Sequence, residues 1–559
     1  MRTHLILLLL LLLLEASVDA FVSPHGVTSS TCTSTMVRPG LPRRHRWQQS
    51  GFFLISDVDD NNMASVGDGI KEASNIDADN GEGRVRSEIY VLTQAAFIGI
   101  FSGWSVGIFK LSIDAVRRFA YGSVLAQTPF LYPLIPAMGG LAVALLALLG
   151  SFPPGLRGTV QAVDAQAEST SRQHSREGSL AFFRKAIAAV FTLGTGCSLG
   201  PEGPSVEIGM SMSRVCINEF PIEGKFRSKK MRSRLLLSCG AAAGVAAGFN
   251  APVAGVFFAL EIMQGAFAGL DKSQQTIATA TPGNISAILL SSVLSALTAK
   301  ALLGDHLVFE LHEYTLRTPL LELPLYLLLG ATSGLVAFGF SQAATISKGI
   351  FDGKVGPTRL RNVVETLPAP AKPVIGGLIC GLVGLVFPQI LFFGYETLNG
   401  LLANGSLSTA LLLSLLLVKV GTTAISAGSG LVGGTFAPSL FMGGMVGASF
   451  HNIMSSIFQF ASGADVLQIM SGGPLLQLAD VPAYAMVGAA SVLAALFRAP
   501  LTASLLLFEL SRDYDVILPL MASAGVASLV NDLVEQKFEK MTRDSDAVSW
   551  GVLADKEAK

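Results

Sequence analysis

Two stretches of this chain carry residues spaced for chemistry. They are Gly200-Pro201-Glu202-Gly203-Pro204-Ser205-Val206-Glu207-Ile208-Gly209 and Gly434-Thr435-Phe436-Ala437-Pro438-Ser439-Leu440-Phe441-Met442-Gly443, about 230 positions apart. They share the skeleton Gly-x-x-x-Pro-Ser-apolar-x-apolar-Gly, a break followed by the start of an apolar helix. Glycine lets the backbone come close to a ligand, and proline presets the first helical turn. The first N–H groups of such a helix lack intrahelical partners and favour negative charge. One helix end is worth about 0.3–2 kcal/mol toward an anion, whereas a charged side chain at a bilayer centre costs at least about 2.5–3.5 kcal/mol. A single end therefore cannot hold a small anion there, but converging ends can. Glu202 adds a second element. Ionised, it is an anion able to occupy such a site; protonated, it must leave, and the path opens. The plainer alternative is a carboxylate that only complements its own helix dipole.

Positioning these breaks requires a scaffold, and a second internal match suggests one. Gly240 to Phe249-Asn250-Ala251-Pro252, ending at Glu261, matches Gly488 to Phe497-Arg498-Ala499-Pro500, ending at Glu509, with Phe, Ala, Pro and Glu at identical spacing. Two matches in the same order read as a duplication, and repeated halves with broken helices place a site at their interface. Apolar candidate spans run over roughly 89–119, 131–150, 180–199, 203–218, 233–249, 252–268, 276–303, 322–350, 371–387, 407–424, 438–457, 484–496, 500–511 and 515–534. Several fall short of the roughly 20 residues a simple crossing needs. Interrupted helices survive at membrane depth only where their free backbone groups are buried or line a path.

Composition agrees with a membrane body. Half of the 559 residues are hydrophobic and only 14% are charged, with a mean hydropathy of +0.54, below the quarter charged usual in soluble domains. A net charge of -1 leaves no basic footprint for nucleic acid. The five cysteines are scattered without CxxC or Cys/His spacing, so no metal site is expected and they read as small buried hydrophobes.

The front of the chain reads as an address. Residues 1–20 join a basic start to a leucine run and small residues, the pattern of a signal peptide too short to span a bilayer. Residues 21–56 lack Asp and Glu and carry Arg38, Arg43, Arg44 and Arg46, as transit peptides do. The tandem, with its Ala20-Phe21 junction, resembles the bipartite leaders of algae whose plastids have four membranes. An ordinary secreted chain with a basic tail is the alternative. Residues 57–88 turn acidic and polar, predicting a disordered linker before a membrane domain at 89–540 and a tail at 541–559.

The two motifs resemble those of the CLC family of chloride channels and chloride/proton exchangers. Gly200 to Pro204 is similar to that family's G-[KR]-E-G-P, with Pro201 in place of the basic residue. Gly434 to Pro438 matches G-x-F-x-P, and Phe249-Asn250-Ala251-Pro252 followed by Glu261 is also shared. The resemblance implies an all-α polytopic membrane protein, an inverted repeat of about eighteen uneven, partly re-entrant helices. It further implies a homodimer with one pore per subunit, and no cofactor beyond the permeant chloride. Glu202 would be the gating glutamate. Gly200, Pro201, Gly203, Thr435 and Phe436 would surround the anion, with Pro204, Gly434, Ala437, Pro438 and Glu261 supporting the motifs. The CBS pair that follows the pore in many eukaryotic members is not expected here, as in bacterial and plastid-type members.

Three departures bear on function. The best candidate for the family's G-S-G-I-P motif is Pro153-Pro154-Gly155-Leu156-Arg157, which puts Pro154 where a serine contacts the anion. Proline offers neither hydroxyl nor N–H, and in plant members it accompanies nitrate preference. Exchangers generally carry a second, proton-relaying glutamate. Here that position is Ile262, with Glu261 one step earlier, about 100° round the helix, and better suited to packing or capping. The pore tyrosine is not evident near the end of the chain, where Phe538 is the one aromatic candidate, while Tyr484 and Tyr514 read as core or interfacial residues. Lys419 could attract anions, pack or snorkel. These features favour a voltage- or pH-gated anion channel, with a proton-coupled exchanger as the first alternative. An intramembrane enzyme would need a Ser/His or Asp/Asp constellation or metal-ligand spacing, and neither is found.

Overall fold

The computed structural model describes residues 63–124, 129–153, 155, 175–220, 229–263, 282–304, 322–403, 405, 407–463 and 478–557. By its contacts the chain divides into Met1–Asn75, of which only the helical stretch from Met63 is described, and Ile76–Lys559, which holds the membrane body. Both leader segments, 1–20 and 21–56, lie outside the described residues. The stretch from Met63 is helical.

The described residues form helices joined by short breaks, with one isolated β-bridge and no strand. The first half comprises α1 (Met63–Arg117), α2 (Ile135–Leu148), α3 (Ser175–Gly194), α4 (Glu202–Glu219), α5 (Lys229–Phe249), α6 (Pro252–Phe258, continued by a π-turn over Ala259–Met263) and α7 (Pro282–Leu303). Next come α8 (Leu323–Phe351), α9 (Thr358–Thr366), α10 (Ala371–Val386), α11 (Tyr395–Leu402) and α12 (Thr409–Gly428). The described chain closes with α13 (Phe436–Gly463), α14 (Val481–Phe497), α15 (Pro500–Ser511) and α16 (Ile517–Glu557). Among the described residues, six helices are long and apolar enough to cross a membrane, and others are shorter apolar segments, as the uneven spans predicted. The short helices α9 and α11 have no counterpart among those spans. Neither is a long apolar run.

The motif helices are held by close approach of small residues. A Cβ placed on Gly209 of α4 would lie 2.1 Å from the Gly240 carbonyl oxygen of α5. In the second half, a Cβ on Gly443 of α13 would lie 2.3 Å from the Gly488 oxygen of α14. Backbone contact of this kind substitutes for the hydrophobic driving force that lipid withholds between helices. The two helix pairs are thus built alike, at positions the internal match aligned. Apolar side chains such as Leu145, Leu148, Leu328, Leu335, Leu417 and Leu529 stay exposed on the outside, as a lipid-facing surface requires.

The halves also clasp one another. Glu261, at the end of the first repeat, accepts hydrogen bonds from the Leu501 and Thr502 N–H groups (3.2 and 2.8 Å) and from the Thr502 hydroxyl (2.7 Å). Glu509, its counterpart, accepts from Val253 N (3.1 Å) and Ala254 N (2.9 Å). Each carboxylate thereby caps the first turn of the other half's helix, satisfying amides that α15 and α6 leave unpaired.

Candidate anion site

The two motifs meet. Gly200 N donates to Gly434 O (2.8 Å) and Gly434 N donates to Gly200 O (2.7 Å), a two-residue antiparallel bridge between segments far apart in sequence. The loops are too close for side chains at the contact. A Cβ on Gly203 would lie 2.9 Å from Gly434 Cα, and one on Gly434 would lie 2.7 Å from Gly203 N. As a result α4 and α13 start side by side, and their free N–H groups share one region of the interior.

Glu202 opens α4 and is 2% exposed. Its Oε1 accepts a hydrogen bond from the Tyr395 hydroxyl. Its Oε2 is buried without a hydrogen bond of good geometry, beside the start of α13. A Cβ built on Gly200 would meet that oxygen at 2.5 Å and the Ala437 amide nitrogen at 3.2 Å. The carboxylate is therefore lodged between Tyr395 and the amino end of α13. Thr435 and Phe436 stand at that end. The Phe436 ring lies tilted 4.1 Å from Phe497 and packs near Phe249 and Phe258, which fixes its backbone. Pro201, Pro204, Ala437 and Pro438 are buried around the bridge.

Two lysines lie inside the body. Lys110 of α1 donates to the Gly248 and Ala247 carbonyl oxygens at the end of α5, and it interacts electrostatically with Glu202. Lys419 of α12 is fully buried and donates to Ile390 O (2.8 Å) and Phe392 O (3.1 Å), with its ammonium 5.1 Å from the centre of the Phe441 ring. It neither snorkels nor faces open solvent. It pins the loop that precedes α11, and α11 begins with Tyr395.

The remaining predicted positions fall elsewhere. Pro154 lies outside the described residues. Its neighbour Pro153 accepts a bond at 3.2 Å from Lys185, which pairs with Glu207 of α4 at 2.8 Å. Ile262 is a partly buried apolar side chain packed against the main core, and Glu261 beside it is the helix cap described above. The hydroxyl found at the glutamate belongs to Tyr395, not to a residue near position 538. Phe538 is 42% exposed, with its ring 5.6 Å from Phe338 of α8. Tyr484 is fully buried and donates to Glu322 at 2.9 Å, a core arrangement as expected. Tyr395 was missed because its helix is short. The signal available was the run Phe392-Phe393-Gly394-Tyr395, a glycine break in αL conformation (φ 87°) before a short helix.

Broken helices, glycine-backed crossings and two motif loops joined around a buried carboxylate define an all-α integral membrane protein. Sequence comparison is specific: the profile described as "Voltage gated chloride channel" matches residues 158–532. The chain belongs to this CLC family. It is 34% identical over 464 residues to chloride channel protein CLC-e of Arabidopsis thaliana, covering 79% of this chain and 60% of that protein. It is 33% identical over 539 residues to CLC-f of the same plant, covering 91% and 62%. The chain thus spans about three fifths of the length of these two plant relatives. It is 30% identical over 457 residues to the H(+)/Cl(-) exchange transporter ClcA of Klebsiella pneumoniae, covering 80% and 86%. The crystal structure of a slow cyanobacterial Cl-/H+ antiporter superposes with a TM-score of 0.62 at 25% identity, covering 79% of this chain and 94% of that one.

Proposed function

We propose that this protein is a channel for small anions, chloride with nitrate as a second permeant, opened by protonation of Glu202. The observation that carries this reading is the Glu202 carboxylate lodged between the Tyr395 hydroxyl and the amino end of α13. An ionised carboxylate there excludes a second anion by charge and by volume. A protonated one loses the attraction of the helix end and gives up the place. Gly200, Pro201, Gly203, Thr435 and Phe436 then present backbone to the passing ion. Pro154, which offers no donor, makes that ion depend more on backbone amides and underlies the nitrate component.

A proton-coupled exchanger is the second reading, supported by the exchanger and antiporter among the similar proteins. Against it stands Ile262, which cannot relay a proton from the side opposite Glu202. The family further suggests a homodimer in the bilayer. The leader suggests a plastid membrane, thylakoid or envelope, of an alga with a secondary plastid. In a thylakoid, anion flow would offset the charge moved by proton pumping, against about 2.3 kcal/mol per charge per 100 mV.

Purified full-length protein in liposomes separates these readings. Under a chloride or nitrate gradient, anion flux without uphill proton movement is expected. Flux should rise as the pH falls, and Glu202→Gln should conduct at every pH. Uphill proton movement driven by chloride would replace the channel with the exchanger.

A further inference from the structure

The loop 387–394 and the start of α11 take no part in either motif, yet they supply the donor to Glu202, and they are anchored from several sides. Phe392 holds a left-handed backbone (φ 56°), uncommon for a bulky residue. Its N–H donates to Gly196 O (3.2 Å), its carbonyl accepts from Lys419, and its ring lies under the Arg117 guanidinium at 4.4 Å. Gly394 abuts Phe441 of the second motif, so that a Cβ there would lie 2.4 Å from the ring. The strain and the buried lysine fix where Tyr395 points.

The same segment also reaches solvent. A cavity of about 230 Å³ is lined by Arg117, Tyr121, Tyr132, Gln389, Phe393 and Tyr395, among others. At its edge Glu396, next in the chain to Tyr395, pairs with Arg117 and has a side chain 80% exposed. Tyr395 thus both lines this cavity and bonds the buried Glu202 carboxylate.

We propose that Tyr395 is the latch of the Glu202 gate and a donor to the anion that takes the carboxylate's place. While Glu202 is ionised, the Tyr395 O–H donates to Oε1 and holds the carboxylate in the path. When a proton arrives through the cavity, the carboxylic acid turns away and the freed O–H donates to the anion that takes its place. This rests on the gate reading above. The charged and titratable groups around the pair are Lys110 from α1, Arg117 with Glu396 at the mouth, Tyr121 and Tyr132 on the cavity wall, and Lys419 behind the loop. Arg117 is paired with Glu396, and Lys110 and Lys419 are each bonded to main-chain oxygens, so the hydroxyl is the neutral donor that can pass from carboxylate to anion.

The test uses full-length protein in liposomes, with chloride flux followed from pH 4.5 to 8 for wild type, Tyr395→Phe, Glu202→Gln and the double variant. Phenylalanine keeps the ring and removes only the hydroxyl. Losing one hydrogen bond to an ionised group should raise flux at neutral pH roughly ten- to hundredfold and move half-activation up by one pH unit or more. In the Glu202→Gln background, where no pH dependence is expected, Tyr395→Phe should raise the chloride concentration for half-maximal flux several-fold. A Tyr395→Phe profile that overlays wild type, beside a pH-independent Glu202→Gln, overturns the latch and leaves the gate standing. A Glu202→Gln variant that keeps the wild-type pH profile overturns the gate and the latch with it.

Discussion

Glu202 and Phe436 occupy the same place in two copies of one arrangement. Each follows a Gly-x pair at the start of a motif helix, and each is followed by the same Pro-Ser pair one residue on. Ser205 bonds back to Pro201 O and Ser439 to Phe436 O, closing both first turns with a hydroxyl. Gly209 and Gly443 then seat both helices on small-residue partners. Against this shared scaffold the difference is sharp. In the first half the residue is a carboxylate reaching across to Tyr395 and the other helix end. In the second it is an aromatic ring anchored on Phe497. The duplication supplies two converging amino ends, and the asymmetry leaves one of them bearing a titratable group. Two carboxylates facing each other would repel, and two phenylalanines could not titrate.

The largest expected effect breaks the contact on which the comparison depends. Gly203 aligns with Ala437, so the second half already carries a methyl where the first has none. In the first half that methyl would meet Gly434 Cα at 2.9 Å, backbone that cannot rotate away. Gly203→Ala should push the loops apart at a cost of about 1–3 kcal/mol and lower chloride flux more than tenfold in liposomes of equal protein content. Wild-type flux from a folded Gly203→Ala variant would mean that the two amino ends need not approach so closely.

A smaller effect tests whether the halves support each other equally. Glu261→Ala and Glu509→Ala each remove a carboxylate that caps the opposite half's helix, leaving two amides without their acceptor. Each loss should cost about 1–2 kcal/mol, read as similar downward shifts of the thermal midpoint in detergent. If one variant were silent, the clasp would be one-sided. Glu261→Ala should also leave the proton readout of the flux assay unchanged, since this carboxylate is occupied as a cap.

Much of this arrangement is legible in the residues, and the boundary is physical. Gly-Pro breaks, small-residue runs and paired Phe-x-Ala-Pro segments are local patterns with local causes, so both motifs, their repeat and the uneven spans could be read directly. That Glu261 packs or caps rather than relays a proton could be anticipated from its offset of one step from Ile262, but the helix it caps, 240 positions away, could not. Tyr395 could not. Its bond to Glu202 crosses 193 positions, and the loop that aims it is set by Lys419 and by a left-handed Phe392. Those contacts exist only after the chain has packed. Lys419 was ambiguous for the same reason. A lysine in an apolar run predicts a partner, and here the partners are two carbonyls of a distant loop.

The smallest expected effect concerns an aligned position, away from the site, where the halves end their helices with different residues. Asn250 and Arg498 both end their helices in left-handed backbone, with φ of 57° and 54°. Asparagine visits that conformation readily, whereas arginine pays about 1–2 kcal/mol. Arg498 recovers part of this through Asp532 (3.0 Å) and Glu535 (2.5 Å) of α16. Its side chain is 54% exposed, so each ion pair is worth about 0.2–1 kcal/mol and is weakened by salt. Arg498→Asn, which copies the first half, therefore exchanges backbone relief for lost pairing. The net change in stability should stay within about 0.5 kcal/mol at moderate salt and turn slightly favourable at high salt, where the pairs contribute least. A loss above about 1.5 kcal/mol that persists at high salt would show that the second half relies on Arg498 to tie α14 to α16, a tie the first half does without.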